Sequence, residues 1–420
     1  MLKRVTLLGV AAFAAVSIAA CSDKLEAGLS CPLLCPEQTV TLLDTTIDAV
    51  VVDTTITGLP PIGTENFLML SSHGDTLDTR AIVRFDTLPQ TFTINAVDSA
   101  ITQIDSAYLL TPLLTDSTHR PSAPVTIEAY DVDTTGADTS SAALASLFRA
   151  DRLIGSKTFA PESLLDSIRV PINTDTVLDR VTNGTHLRVG LKIVSASGAD
   201  LRLGSTQLGA PITLTIKASL DSTATPVSVA PLSSTPKDQP FLAGPLADYT
   251  IVVTGGTGAT PQLLGVGGVP SRRSYLKFDL PSRLVDSTTI VRASLELTQV
   301  PNRRVDPLDS VYVFPLAVLA SPSVTDVSTL LQFLGTNGQF GLDSLLLAPG
   351  DSGQRVFQLV GLVRTWHLQP LTVSPRSIAL RSGAEGQLPA EIDFVSTKGP
   401  VELRPRLRIT YVPQTSFGVP

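Results

Sequence analysis

Apolar and polar residues alternate over short stretches along most of the chain, at residues 80–86, 104–110, 124–130, 187–193 and 212–216, and again at 273–279, 290–296, 310–316, 377–380 and 407–411. Period-two alternation in runs this short, closed by Pro, Gly, Asp, Ser or Thr, predicts β-strands with one buried face. Only residues 142–148 and 327–334 carry a weak helical pattern, and a short amphipathic stretch ends at Trp366 and His367. One segment breaks the alternation. Residues 7–20 form a continuous apolar run behind Lys3 and Arg4 and end at Cys21.

The strands come in two series with the same order. Arg80-Ala-Ile-Val-Arg-Phe-Asp86 matches Arg273-Ser-Tyr-Leu-Lys-Phe-Asp279, each followed by a proline, Pro89 or Pro281. Ile104 to Leu110 matches Ile290 to Glu296, Pro124 to Tyr130 matches Ser310 to Leu316, and Arg169-Val-Pro-Ile matches Arg355-Val-Phe-Gln-Leu. Each series then closes with two more strands. An internal repeat of short strands with one or two helical turns per copy predicts an all-β chain of two tandem jelly-roll-like antiparallel β-sandwiches. Residues 219–245 are rich in Ser, Thr and Pro without periodicity, which suits an extended linker. The expected boundaries are 39–218 for the first sandwich, 219–238 for the linker, 239–413 for the second sandwich and 414–420 for a tail.

The second copy resembles a DNRLRE-type domain, a family of jelly-roll sandwiches in secreted bacterial proteins related to carbohydrate-binding modules. The matching residues are Leu264-Gly265, Arg273 to Leu280, Ala293-Ser-Leu-Glu-Leu297, Val363-Arg-Thr-Trp366 and Arg404-Pro-Arg-Leu-Arg-Ile-Thr-Tyr411. The first copy lacks a tryptophan near Val181 and the Arg-Pro start of the last strand. The resemblance implies a binding module and, from members that bind acidic polysaccharides, a uronic-acid polymer as ligand class.

Composition narrows this further. Charged residues make up 16% of the 420, aromatics 5%, and the net charge is −7, which speaks against nucleic-acid binding by phosphate neutralisation. The basic start and an apolar run of roughly 14 to 16 residues, short of the ~20 that span a bilayer, read as an export signal over residues 1–20. Ile18-Ala-Ala-Cys21 resembles a bacterial lipobox, which implies lipidation of Cys21, a tether over 21–38 and, with Ser22 rather than Asp after it, the outer membrane of a Gram-negative cell. Export places Cys31 and Cys35 where disulfides persist and so permits a small local loop between them.

Candidate chemistry is thin. The four histidines, His73, His119, His186 and His367, are scattered, no G-x-S-x-G elbow occurs, and no Cys/His spacing or calcium loop supports a metal or other cofactor. Trp366 sits on an apolar face and reads as core, which argues against a broad aromatic platform. Arginine remains: Arg273, Arg303, Arg304, Arg404 and Arg406 in the second copy could clamp the carboxylates of an acidic glycan, or pair with neighbouring acids such as Asp279. The expectation is a non-catalytic surface lipoprotein that binds an extracellular polysaccharide or protein partner. A structural envelope lipoprotein is the second reading and a polysaccharide-degrading enzyme the third.

Overall fold

The computed structural model describes residues 41–413 except 60–61, 115–119, 135–139, 220, 222, 235–245, 255–259, 303–308, 319–341 and 369–375. Cys21, Cys31, Cys35, Arg303, Arg304 and the helical stretch 327–334 therefore lie outside the described residues. The chain is built of antiparallel sheets, as the alternation predicts, and the stretch at 142–148 yields one short helix, Ser141–Ala145.

The strands form two lobes, each a two-sheet sandwich of the same design. In the first lobe the larger sheet runs β12 (Ala199–Gly204), β3 (Phe67–Ser72), β4 (Asp78–Phe85), β11 (Leu187–Val194), β8 (Val125–Asp131) and β9 (Leu153–Phe159). The smaller runs β10 (Ser167–Ile172), β7 (Ser106–Pro112), β13 (Thr213–Lys217) and β14 (Val227–Val229), and a separate hairpin joins β5 (Thr91–Ile94) to β6 (Val97–Ala100). In the second lobe the larger sheet runs β23 (Glu391–Val395), β16 (Leu263–Gly267), β17 (Ser271–Phe278), β22 (Ser377–Ser382), β19 (Val311–Ala317) and β20 (Leu345–Leu347). The smaller runs β21 (Gly353–Gln358), β18 (Thr288–Val300), β24 (Arg406–Pro413) and β1 (Leu43–Ile47), and the long β18 also reaches β23, which joins the two sheets.

Inward residues of facing sheets fill each core. Leu68, Leu70, Val83, Phe85, Leu109, Val170, Leu191 and Leu214 do so in the first lobe, and Leu276, Phe278, Leu295, Phe357, Trp366, Leu380, Phe394 and Ile409 in the second. Trp366, on the helix Val360–Leu368, is 1% exposed and meets Phe278 at 5.3 Å between ring centroids, so it is a core residue.

Strand pairing does not divide the chain at 219–238. The first two strands, β1 and β2 (Val50–Leu59), pair with β24 and β17 of the second lobe. Their counterparts β14 and β15 (Asp248–Thr254) pair with β13 and β4 of the first. Each repeat thus gives its opening strand pair to the other. The first lobe is a continuous stretch ending with β15, and it interrupts the second lobe between β2 and β16. Nothing local in an alternating strand says which of two similar sheets it joins, so the linear repeat suggested a tandem order.

The same hydrogen bonds seat both exchanged strands. Hairpin β3–β4 pairs only at Ser71–Thr79 and Ser72–Asp78, and β15 lies along β4 where it opens. There Asp248 accepts from the Thr206 backbone N–H at 2.8 Å and the Thr206 hydroxyl at 2.5 Å, and the Met69 N–H donates to Thr250 Oγ1 at 3.1 Å. In the second lobe Asp53 accepts from the Thr397 N–H at 2.6 Å and its hydroxyl at 2.9 Å, and the Gly265 N–H donates to Thr55 Oγ1 at 3.2 Å. Ser205 and Ser396, each just before the threonine, donate to Asn66 O and Pro261 O. In each clasp the carboxylate and the amide N–H satisfy one another, which offsets the desolvation cost either would bear alone.

The two clasps differ in one neighbour. Glu65 packs beside Asp248, is 8% exposed, and its Oε2 has no hydrogen-bond partner among the described residues. Burial pushes its carboxyl up to about 7, against backbone N–H groups of Glu65, Thr250 and Gly63 that favour the anion, with Asp248 adding repulsion. Burial also raises Asp248, against its bonds from Thr206. A carboxyl with a raised folded pKa holds its proton more tightly folded than unfolded, so its stabilisation is full below the ordinary carboxylate range and lost as pH rises through about 7. Glu65→Gln is therefore expected to raise the urea midpoint at pH 8 and to flatten its fall between pH 5 and 8, a difference of roughly 2 to 3 kcal/mol. An unchanged pH profile would contradict this assignment.

Candidate functional site on the outer face of the second lobe

Alternation along β17, β22 and β19 sends Leu276, Phe278, Ile378, Leu380 and Val313 into the core, and sends Arg273, Tyr275, Ala379, Arg381, Tyr312 and Phe314 to the opposite face. Register aligns these outer residues. Tyr312 stands opposite Leu346 of the edge strand β20, and Phe314 opposite Arg381 of β22. Tyr312 and Leu346 are 52% and 57% exposed, and the Tyr312 and Phe314 rings lie 6.3 Å apart at 28°, close to parallel. Phe314 can lie flat because Gly383 is beneath it: a Cβ there would fall 2.9 Å from the ring.

Beside the rings, charge is arranged from the inside outward. Arg273 is 4% exposed and donates through Nε and Nη2 to Glu385 at 2.6 and 2.7 Å. Glu385 accepts a further bond from Arg381 Nε at 3.1 Å, and the Arg381 side chain is 42% exposed. Tyr275 lies against this pair, and its hydroxyl is raised by burial, against the favourable pull of Arg273. The outcome is a fixed guanidinium at the surface next to two near-parallel rings. Such a face can stack the apolar side of a sugar ring and offer donors to a carboxylate.

Of the arginines singled out from the sequence, Arg303 and Arg304 lie outside the described residues, and Arg273, Arg404 and Arg406 are not brought together. Arg273 is on this face but pairs with Glu385, not Asp279. Arg404 donates Nε to Gly399 O at 2.9 Å. Arg406 donates Nη2 to Val401 O at 3.1 Å and approaches Asp48 at 3.4 Å. Arg404 and Arg406 lie at the opposite sheet of the lobe, where Arg406 and Arg408 hold β1; Arg408 donates to Asp44 at 2.6 and 2.9 Å. The sequence signal for the aromatic pair is the spacing Tyr312-Val-Phe314, two outward positions of one strand, and a low overall aromatic content hides it.

His73 and His186, the histidines whose side chains are described, are each spent on one aspartate. His73, in the turn after β3, meets Asp200 at 2.8 Å, which raises its pKa against the effect of burial. His186 meets Asp133 at 2.7 Å within a charged group that also holds Arg180, Arg188, Asp86 and Asp131. Asp86 in that group is held below the usual carboxylate range: burial opposes this, but the Ser234 N–H and hydroxyl and the Arg84 and Arg188 charges prevail.

A scan of protein families finds none that matches the chain, and no curated protein matches it. Among solved structures, the infectious bursal disease virus VP2 subviral particle is similar at 11% identity over 89% of this chain and 76% of that one, with a TM-score of 0.12. Infectious bursal virus derived T=1 particles match at 11% identity over 88% and 76%, with a TM-score of 0.11. Likeness at that level carries no argument about fold or function.

The charge arrangement makes a clear stability prediction. Glu385→Ala leaves the buried Arg273 cation without its carboxylate and is expected to cost about 3 to 5 kcal/mol. Arg381→Ala removes an exposed partner and is expected to cost under about 1 kcal/mol. Equal losses in urea unfolding would contradict the inside-out order.

Proposed function

We propose that this chain is a non-catalytic, surface-anchored lipoprotein whose second lobe binds an extracellular polysaccharide bearing carboxylates, on the face formed by Tyr312, Phe314, Leu346 and Arg381. The observation that carries the reading is the pairing of near-parallel surface rings with a guanidinium fixed by a buried glutamate. Aromatic stacking supplies affinity without regard to charge, while Arg381 supplies preference for a uronic acid over a neutral sugar. Glu385 holds Arg381 through Nε, and no protein acceptor among the described residues takes its terminal nitrogens.

In this reading a lipid on Cys21 and the tether over 21–38 lead into β1, so the lobe nearer the membrane in connectivity is the one bearing the proposed face. The compartment is the outer membrane of a Gram-negative cell. A second reading, a structural envelope lipoprotein with a protein partner, draws support from the apolar character of Tyr312 and Leu346 at an edge strand, a surface that also suits protein contact.

The test is a titration of the soluble protein from Ser22 onward with a polyuronate and a neutral glucan. Expected is binding to the polyuronate that weakens with salt, a loss of about tenfold or more for Tyr312→Ala and for Arg381→Ala, and no loss for Arg404→Ala. Equal binding of both polymers, or binding indifferent to Tyr312 and Arg381, would overturn the assignment.

A further inference from the structure

We infer that the second lobe's strand slot, filled by β1 and β2, also accepts the same two strands from a second copy of this chain, which links copies by strand exchange. The inference does not depend on the glycan reading; it rests on how the slots are filled. Each slot already holds strands from the other repeat, so seating does not require the donor to be the acceptor's own opening segment. Both donors carry the same short pattern, Asp53-Thr-Thr-Ile56 and Asp248-Tyr-Thr-Ile251. Both are seated by the same threonine-to-aspartate clasp and the same amide-to-threonine bond.

The two slots differ in how their occupants are tethered. β15 closes the first lobe from the end of that lobe's own continuous stretch. By contrast, β1 and β2 join the second lobe's remaining strands only through the whole of the first lobe, since residue 59 is followed by β3 and the second lobe resumes at β16. Once β1 and β2 leave their slot, one chain carries both a free arm on its first lobe and an open acceptor in its second. The arm of one copy fits the acceptor of another with every contact kept: Ile47, Ala49 and Val50 against the core, Asp53 on Thr397, and Arg408 and Arg406 on Asp44 and Asp48. Because the contacts are shared, the balance between closed and linked forms is set by concentration against the effective concentration of the tethered arm. A lipid anchor confines copies to one surface and moves that balance toward the linked form.

The experiment traps the strands where they sit. Thr55 and Ser274 stand opposite each other with their hydroxyls 3.0 Å apart, so Thr55→Cys with Ser274→Cys, in a full-length soluble chain whose Cys21, Cys31 and Cys35 are serine, forms a bridge within one chain or between two. Asp44→Cys with Thr410→Cys, a more exposed pair in register on β1 and β24, serves if the first variant folds poorly. Each is refolded oxidatively over about a hundredfold range of concentration and read on a non-reducing gel. Expected is a covalent dimer band that rises roughly in proportion to concentration, is larger still for the same variants anchored on vesicles by an N-terminal lipid, and is absent from single-cysteine controls. Bridging confined to single chains at every concentration and on vesicles would overturn the inference.

Discussion

Two aspartates on exchanged strands, Asp53 and Asp248, each accept an amide and a hydroxyl hydrogen bond from one threonine, and the architecture turns on those two clasps. A β-strand placed inside an opened hairpin needs its polar groups satisfied on both sides, or it would be excluded by the cost of buried unpaired amides. The clasp meets that need at one point per strand, and the threonine bonds at Met69 and Gly265 meet it at a second. Hydrogen bonds to a charged acceptor contribute on the order of 1.5 to 3 kcal/mol each, so the clasps are strong relative to a typical domain's net stability.

The exchange has a consequence for how the chain folds. Thr55 and Ser274 are 219 residues apart in sequence, and Asp53 and Thr397 are 344 apart. The second lobe cannot close until the whole of the first has been traversed, so its closing contacts are among the most non-local in the molecule, and loop-closure entropy slows pairings of that kind. The first lobe closes over a shorter span, with Met69 and Thr250 181 residues apart. The two lobes share one plan but differ in the span of chain that each must close, and Glu65, beside Asp248, gives the first lobe's clasp a neighbour whose carboxyl burial pushes up to about 7.

Much of this plan was legible in the sequence. The matches of residues 80–86 with 273–279, 104–110 with 290–296 and 124–130 with 310–316 correspond to β4 with β17, β7 with β18 and β8 with β19. A further match, not picked out from the alternation, sets Ala199-Asp-Leu-Arg-Leu-Gly-Ser-Thr206 against Ala390-Glu-Ile-Asp-Phe-Val-Ser-Thr397 and carries both clasp threonines. The partner of each opening strand was not legible, because the two slots present the same pattern and the choice between them is made by distant geometry. The outer face was half legible. Arginine in the second repeat is plain in the sequence, but charge alone does not separate Arg273, whose role is to hold Glu385, from Arg381, which reaches solvent; burial decides that, and burial follows from register. The arginines at 406 and 408 pair with Asp48 and Asp44 at β1, which register likewise decides.

These strands make the proposed binding face an extension of the exchange. β2 lies along β17, β17 carries Arg273, and Arg273 positions the glutamate that orients Arg381, so a lost arm would disturb the face as well as the core. The exchange itself is tested most directly by cutting the chain at two engineered protease sites, one at residues 60–61 and one at 255–259, followed by native mass spectrometry of the products. The account predicts that the fragment ending at residue 60 stays with the fragment beginning at residue 260, while 62–254 forms a folded body of its own. Retention of the N-terminal fragment by 62–254 instead would contradict it.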